Sequence, residues 1–161
     1  SYLYGIQKTS KQNLLTPSII LLKKQNICSN ILSYKFDVSV MLKNNSKAGL
    51  IFRVLSSDDF LSIILDISET TGKLYLLKIS KGIPYQLITP THIPIVQNSW
   101  YNLQLTFNGS TVQLIMNNAN IINSRFNEHV NDLGDIGLVV LNGEAGFGNI
   151  SFLPNEVSTL T

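Results

Sequence analysis

The sequence predicts an all-β protein, an antiparallel two-sheet β-sandwich, on three observations. Apolar and polar residues alternate along most of the chain, the period of a strand with one buried face. Clusters of Gly, Pro, Asn, Asp and Ser break that alternation roughly every eight to twelve residues. No stretch holds a helical period for as much as about three turns, and the best short-helix candidates are residues 10–15 and 130–133.

The elements follow in order. Tyr34 to Leu42 alternates cleanly and meets the polar turn 43–47. Gly49 to Leu55, Phe60 to Ile67, Lys73 to Ser80 and Tyr85 to Thr89 come next, separated by turns rich in Ser, Asp, Thr, Gly and Pro. Trp100 to Phe107 puts Tyr101, Leu103, Leu105 and Phe107 on one face and Trp100, Asn102, Gln104 and Thr106 on the other. With Gly109 and Ser110 as a two-residue loop, Phe107 faces Val112, Leu105 faces Leu114 and Leu103 faces Met116, an apolar register that supports itself. Asn117 and Asn118 make the next turn, since Asn tolerates the left-handed region. Ile121 to Phe126 follows, and Asp135 to Leu141 and Ala145 to Leu153 form a closing pair around residues 142–144.

The expected organisation is one domain over 1–161. Residues 1–30 form an irregular segment that completes the sheets with one or two strands, or docks as an arm elsewhere. With no initiator Met and no basic flank leading into an apolar core, the chain reads as a domain excised from a larger protein.

Composition narrows the function classes. Apolar residues are 44% of the chain and charged residues only 14%, with a net charge of +2. Arg53 and Arg125 are the only arginines and the nearest basic cluster is Lys23-Lys24, which is not the dense stripe that nucleic-acid binding requires. No apolar run approaches the roughly 18 residues of a membrane-spanning helix, so no direct membrane insertion is expected. Cys28 is the single cysteine, so no internal disulfide can form. Three Asn-x-Ser/Thr triplets, at Asn44, Asn108 and Asn149, lean slightly toward a secreted or cell-surface setting but arise readily in so Asn-rich a chain.

The order of motifs resembles a known family. Ala48-Gly49-Leu50-Ile51-Phe52-Arg53, followed by Asp58-Asp59-Phe60-Leu61-Ser62-Ile63-Ile64-Leu65-Asp66, is similar to paired strands that recur in laminin G-like jelly rolls of the concanavalin A-like superfamily. Leu74 to Gly82, Trp100-Tyr101-Asn102-Leu103, Gly137-Leu138-Val139-Val140 and Phe147-Gly148-Asn149-Ile150-Ser151-Phe152 resemble later motifs of that family, in the same order, over residues 34–154. Two departures stand out: Asn117-Asn118 replaces a common Asn-Gly turn, and Gly148 stands where the family's closing motif has Asp. The resemblance implies a jelly roll and a binding role. It also implies calcium as a possible ligand, for which Asp132 and Asp135 are the weak candidates, joined by Asp58 and Asp59.

The residues themselves point away from catalysis. Glycoside hydrolysis needs two carboxylates flanking the bond, and no strand carries a run of alternating acids; Asp58-Asp59 reads as a turn and Asp132/Asp135 as a loop. His92 sits in a proline-flanked loop and His129 in a polar one, neither beside a nucleophile motif. No Cys/His spacing suits zinc.

A binding surface is more legible. Pairing about a loop at Ser57-Asp58 sets Val54 opposite Leu61, Phe52 opposite Ile63 and Leu50 opposite Leu65 as core residues. Ile51, Arg53, Ser62, Ile64 and Asp66 then share the other face. Leu74, Leu76 and Lys78 join it if Tyr75, Leu77 and Ile79 are the core set. Such a face is too apolar for water, so the N-terminal segment or a neighbouring domain covers it, or it binds a ligand with Arg53 as polar anchor. The candidate ligand-binding residues are Arg53, Asp66, Lys78 and Trp100, the last either packing on the sandwich end or serving as an aromatic platform. The expected function is a non-catalytic recognition or adhesion module for a protein partner or glycan. The alternatives are a keto-disaccharide hydrolase type of carbohydrate-active enzyme and an intracellular structural interaction domain.

Overall fold

Two antiparallel sheets, one of six strands and one of seven, account for all the regular structure in the computed structural model, which describes residues 3–7, 18–22, 31–126 and 132–156. Cys28, His129, the Lys23-Lys24 pair, the helix candidate 10–15 and the first half of 130–133 lie outside those residues. The strands are β1 (Leu3–Gln7), β2 (Ser18–Leu22), β3 (Ile31–Leu42), β4 (Lys47–Ser56), β5 (Asp59–Asp66), β6 (Lys73–Ser80), β7 (Ile83–Gln86), β8 (Thr91–His92), β9 (Trp100–Phe107), β10 (Thr111–Met116), β11 (Ala119–Arg125), β12 (Asp135–Asn142) and β13 (Glu144–Glu156). The first sheet runs β1-β13-β3-β9-β10-β11; the second runs β2-β12-β4-β5-β6-β7, with β8 also pairing β6.

The alternation read from the sequence becomes the core. Tyr34, Phe36, Val38, Val40 and Leu42 of β3 face Leu50, Phe52, Leu61, Ile63 and Leu65 of the opposite sheet, all buried. Each such side chain contributes about 1.5–3 kcal/mol on burial. Phe107 joins the layers: its ring lies 5.3 Å from Phe52, 5.7 Å from Tyr34 and 6.4 Å from Phe126, tilted or edge-on in each case, the geometry that aromatic quadrupoles favour.

The β9–β10 hairpin has the register expected, with Val112, Leu114 and Met116 opposite Phe107, Leu105 and Leu103. Asn108 closes it by accepting bonds at Oδ1 from the backbone N–H of Ser110 (2.9 Å) and of Thr111 (2.7 Å). Asn117 and Asn118 both take positive φ, 47° and 68°, so two asparagines make the left-handed turn that Asn-Gly makes elsewhere.

Three expectations are corrected. In β4–β5 the pairs are Leu50 with Ile63 and Phe52 with Leu61, two residues away from the simple register. The cause is a bulge that sets Arg53, Val54 and Leu55 against Phe60 alone, with Arg53 at φ 46°. An even shift preserves the core face of the strand below the bulge but moves Val54 into a second, outer cluster with Ile51, Phe60, Ile64 and Val139. In β6 the faces are the reverse of the conditional reading. Leu74 and Leu76 are in the main core, while Tyr75, Leu77 and Ile79 pack on the outer cluster. Finally, β12 and β13 are not a hairpin: β12 pairs β4 and β2, β13 pairs β3 and β1, and residues 142–144 carry the chain from one sheet to the other. Gly143 turns that corner at φ 76° against Ser46, where a Cβ would strike the Ser46 side chain.

Candidate functional site

The side chains singled out in the sequence, Arg53, Asp66, Lys78 and Trp100, do not converge; each occupies a separate place. Arg53 is buried at the bulge, and its Nη2 donates to Asp59 Oδ1 at 2.9 Å. Its backbone N–H donates to the Tyr34 hydroxyl (3.2 Å), which in turn donates to the Leu133 carbonyl at 3.4 Å. Burial pushes the Tyr34 hydroxyl well above the ordinary tyrosine range, only partly offset by Arg53, so it remains a neutral donor. This junction ties β3, β4 and the residues leading into β12 at one end of the sandwich. The Arg53 Nε is buried without a hydrogen-bond partner.

Asp66 is also buried, at the far end of β5. Its Oδ1 accepts from Ser68 N–H (2.8 Å) and Ser68 Oγ–H (2.6 Å), and its Oδ2 lies 3.6 Å from Lys47 Nζ. These bonds stop the strand and shape the turn that follows. Lys78 stands opposite Leu61 and Tyr85, in line with the core residues Leu74 and Leu76 rather than on the outer face.

The outer face of the second sheet is apolar, as its sequence requires, but its central side chains are not free: Ile51, Ile64 and Val139 are buried. Exposed apolar area on this sheet lies at its margins: Leu21 of β2, and Ile83 and Tyr85 of the edge strand β7, which share the face of Ser80 and Lys78 and are about half exposed.

Trp100 occupies the outer face of the other sheet. It begins β9 opposite Met41 of β3, which is in turn opposite Gly146 of β13. A Cβ built on Gly146 would lie 3.4 Å from Trp100 Cη2 and 3.5 Å from Met41 Cε, so the indole rests above that glycine, and Trp100 is still 42% exposed. The next rank holds Asn102, Ser39 and Gly148, and the one after it Gln104, Asp37 and Ser151. A bulge between Gly148 and Ser151 puts Asn149 at φ 50° and brings its Nδ2 to 3.5 Å from Ser39 Oγ. Partial burial raises the Asp37 carboxyl above its usual range, with Lys35 pulling the other way.

The remaining acids are engaged locally. Asp58 accepts from Ser56 Oγ–H at 2.6 Å, and Asp132 Oδ1 accepts from Gly134 N–H at 2.9 Å. Asp135 is exposed at the start of β12, and His92 is exposed in β8. Among the described residues no three His, Cys, Asp or Glu side chains group as metal ligands, and no helix is long and apolar enough to cross a membrane.

Sequence reading placed Trp100, Asn102, Gln104 and Thr106 on one face through alternation alone. It missed Gly146, Gly148, Asn149 and Ser39 as their neighbours. That neighbourhood depends on β13 pairing with β3 across more than a hundred residues, and no local pattern reports such a contact.

No protein-family model matches the chain, and no curated protein matches it in sequence. Solved structures do share its fold. A carbohydrate-binding module of Bacillus subtilis superposes with a TM-score of 0.70 at 17% identity, over 93% of this chain and 94% of that one. A Caenorhabditis elegans galectin gives 0.57 at 14% identity, over 90% and 96%. A xylan β-1,4-xylosidase of Bacillus halodurans gives 0.64 at 13% identity over 94% of this chain, which spans only 32% of the enzyme. These likenesses show the fold alone, an antiparallel β-sandwich of two sheets.

Proposed function

We propose that this chain is a non-catalytic glycan-binding module, a jelly roll of laminin G-like kind that holds a carbohydrate for a larger assembly. The observation that carries the reading is the end-to-end likeness to a carbohydrate-binding module, 93% of one chain over 94% of the other. The likeness to a xylosidase is confined to about a third of that enzyme's length, as expected for an accessory domain rather than a catalytic one. The chemistry agrees. Asp59 is held by Arg53, Asp66 by Ser68 and Lys47, and Asp58 by Ser56, so these carboxylates shape turns and bulges rather than face one another across a cleft as acid and base.

A glycan array probed with the full chain tests the proposal, followed by calorimetry on the glycans retained. Saturable binding without turnover of the same oligosaccharides is expected. A metal has no part in the proposed binding, so EDTA is expected to leave the affinity unchanged; a loss of affinity restored by calcium would overturn that part of the proposal. Release of reducing ends from any member of the panel would instead favour the carbohydrate-active enzyme, and retention of no glycan at all would overturn the reading.

A further inference from the structure

We infer that the saccharide site lies on the outer face of the six-stranded sheet, built on Trp100, and that it takes a neutral sugar chain. This rests on the glycan-binding reading above and gives it a place and a ligand class.

Strands in a sheet lie about 4.8 Å apart, so β13, two strands from β9, is roughly 10 Å away. The indole of Trp100 reaches Gly146 of β13 across Met41 of β3, and it can cover that span only by lying along the sheet. One ring face is thus against the sheet and the other is open to water, which accounts for an exposure of 42%. The floor beneath and beyond it is kept flat by glycines: Gly146 under the ring, Gly5 of β1 paired with Gly146, and Gly148 in the next rank. A level aromatic plane of this kind matches the C–H face of a pyranose or furanose ring.

What surrounds the plane supplies hydroxyl partners. Asn102 stands one rank from Trp100 beside the buried Ser39, and Gln104, Asp37 and Ser151 one rank further, about 14 Å along the strand direction from Trp100 to Gln104. Carboxamides both donate and accept, as sugar hydroxyls do. The bulge at Asn149 adds another carboxamide beside Ser39, and bulges commonly re-aim a side chain at a site. Among the described side chains of these three ranks Asp37 is the sole charge, and the exposed Lys35 stands one rank further on opposite Thr106, so the charge within the ranks disfavours a sulfate, phosphate or carboxylate there. A protein partner would seek a cluster of apolar anchors in a pocket, whereas the described exposed apolar residues of this face, Trp100 and Leu153, stand three ranks apart with amides between them. The occupant that fits is a neutral oligosaccharide laid along β3 and β9.

Trp100 is the only tryptophan in the chain, so it reports on its own site. The experiment titrates the full chain with neutral gluco-, galacto-, manno- and xylo-configured oligosaccharides and a sulfated counterpart. It reads Trp emission and acrylamide quenching beside calorimetry, then repeats the calorimetry on Trp100→Ala, Asn102→Ala and Tyr85→Ala after their melting curves match wild type. A bound neutral sugar should shift the emission and shield it from acrylamide. Trp100→Ala should weaken binding about tenfold or more, Asn102→Ala by less, and Tyr85→Ala, an exposed aromatic on the other sheet, not at all. Sugar binding that leaves Trp emission and quenching unchanged and survives Trp100→Ala would sink this placement while sparing the glycan-binding reading. Selective binding of the sulfated sugar would refute the ligand class. Absence of binding to any sugar would remove both.

Discussion

Replacing Gly49 with alanine should damage the protein more than any other single methyl addition in β4. Gly49 lies in the middle of the second sheet, between Val139 of β12 and Ile64 of β5. A Cβ there would overlap the Ile63 carbonyl oxygen and lie 2.9 Å from its carbon and 3.1 Å from Ile64 Cα. These are backbone atoms of a paired strand, so no side-chain rotation relieves the collision; β4 and β5 must part locally. Overpacking typically costs about 1–3 kcal/mol, and each ladder bond weakened adds about 1 kcal/mol. The expected loss is therefore about 3 kcal/mol or more, or about 6–12 °C in Tm for a chain of this size. Gly82→Ala is the control: its φ of 77° strains an alanine, but nothing lies within 4 Å of the added Cβ, so about 1–2 kcal/mol is expected from conformation alone. Urea and thermal melts by circular dichroism measure both. If Gly49→Ala lost no more stability than Gly82→Ala, the close approach of β4 and β5 would not be what holds that position to glycine.

The junction at the sandwich end gives two further tests. Tyr34→Phe removes the hydroxyl that accepts Arg53 N–H and donates to Leu133, and should lower stability by about 1–3 kcal/mol in urea melts. Arg53→Ala should destabilise through lost packing and the lost pair with Asp59, whereas Arg53→Gly, free of strain at φ 46°, should be milder by about 1 kcal/mol; the reverse order would argue against a strained bulge. Burial holds the Asp37 carboxyl above its ordinary 3.8, so the stability this group allows is complete below that value and lost as pH rises through its folded value. Asp37→Asn should accordingly melt higher than wild type at pH 7, with the gap closing as pH falls toward 3.8.

The fold was legible where pattern is local. Alternation located Tyr34 to Leu42 and Trp100 to Phe107, and the β9–β10 register followed from three apolar pairs landing opposite one another. It failed at the β4–β5 hairpin because Arg53, a residue that rarely takes positive φ, does so here, and no turn residue announces the bulge. It failed again at β12–β13, where a short glycine turn reads like a hairpin although the strands belong to different sheets. The candidate site was half visible: Trp100 and Asn102 share a face by parity, whereas Gly146 and Asn149 join them only through long-range pairing of β13 with β3.

The pairing of β1 with β13 has a mechanical side. The strands are antiparallel, with Leu3 opposite Gly148 and Gln7 opposite Glu144, and β13 continues past Gly148 to Glu156. Tension applied through the backbone before β1 and after β13 therefore enters from the same end of the pair. It opens the ladder one bond at a time instead of loading all of its bonds together in shear. Peeling of β1 would expose the edge of β13 beside Gly146 and Gly148 while the pairing of β13 with β3 still held.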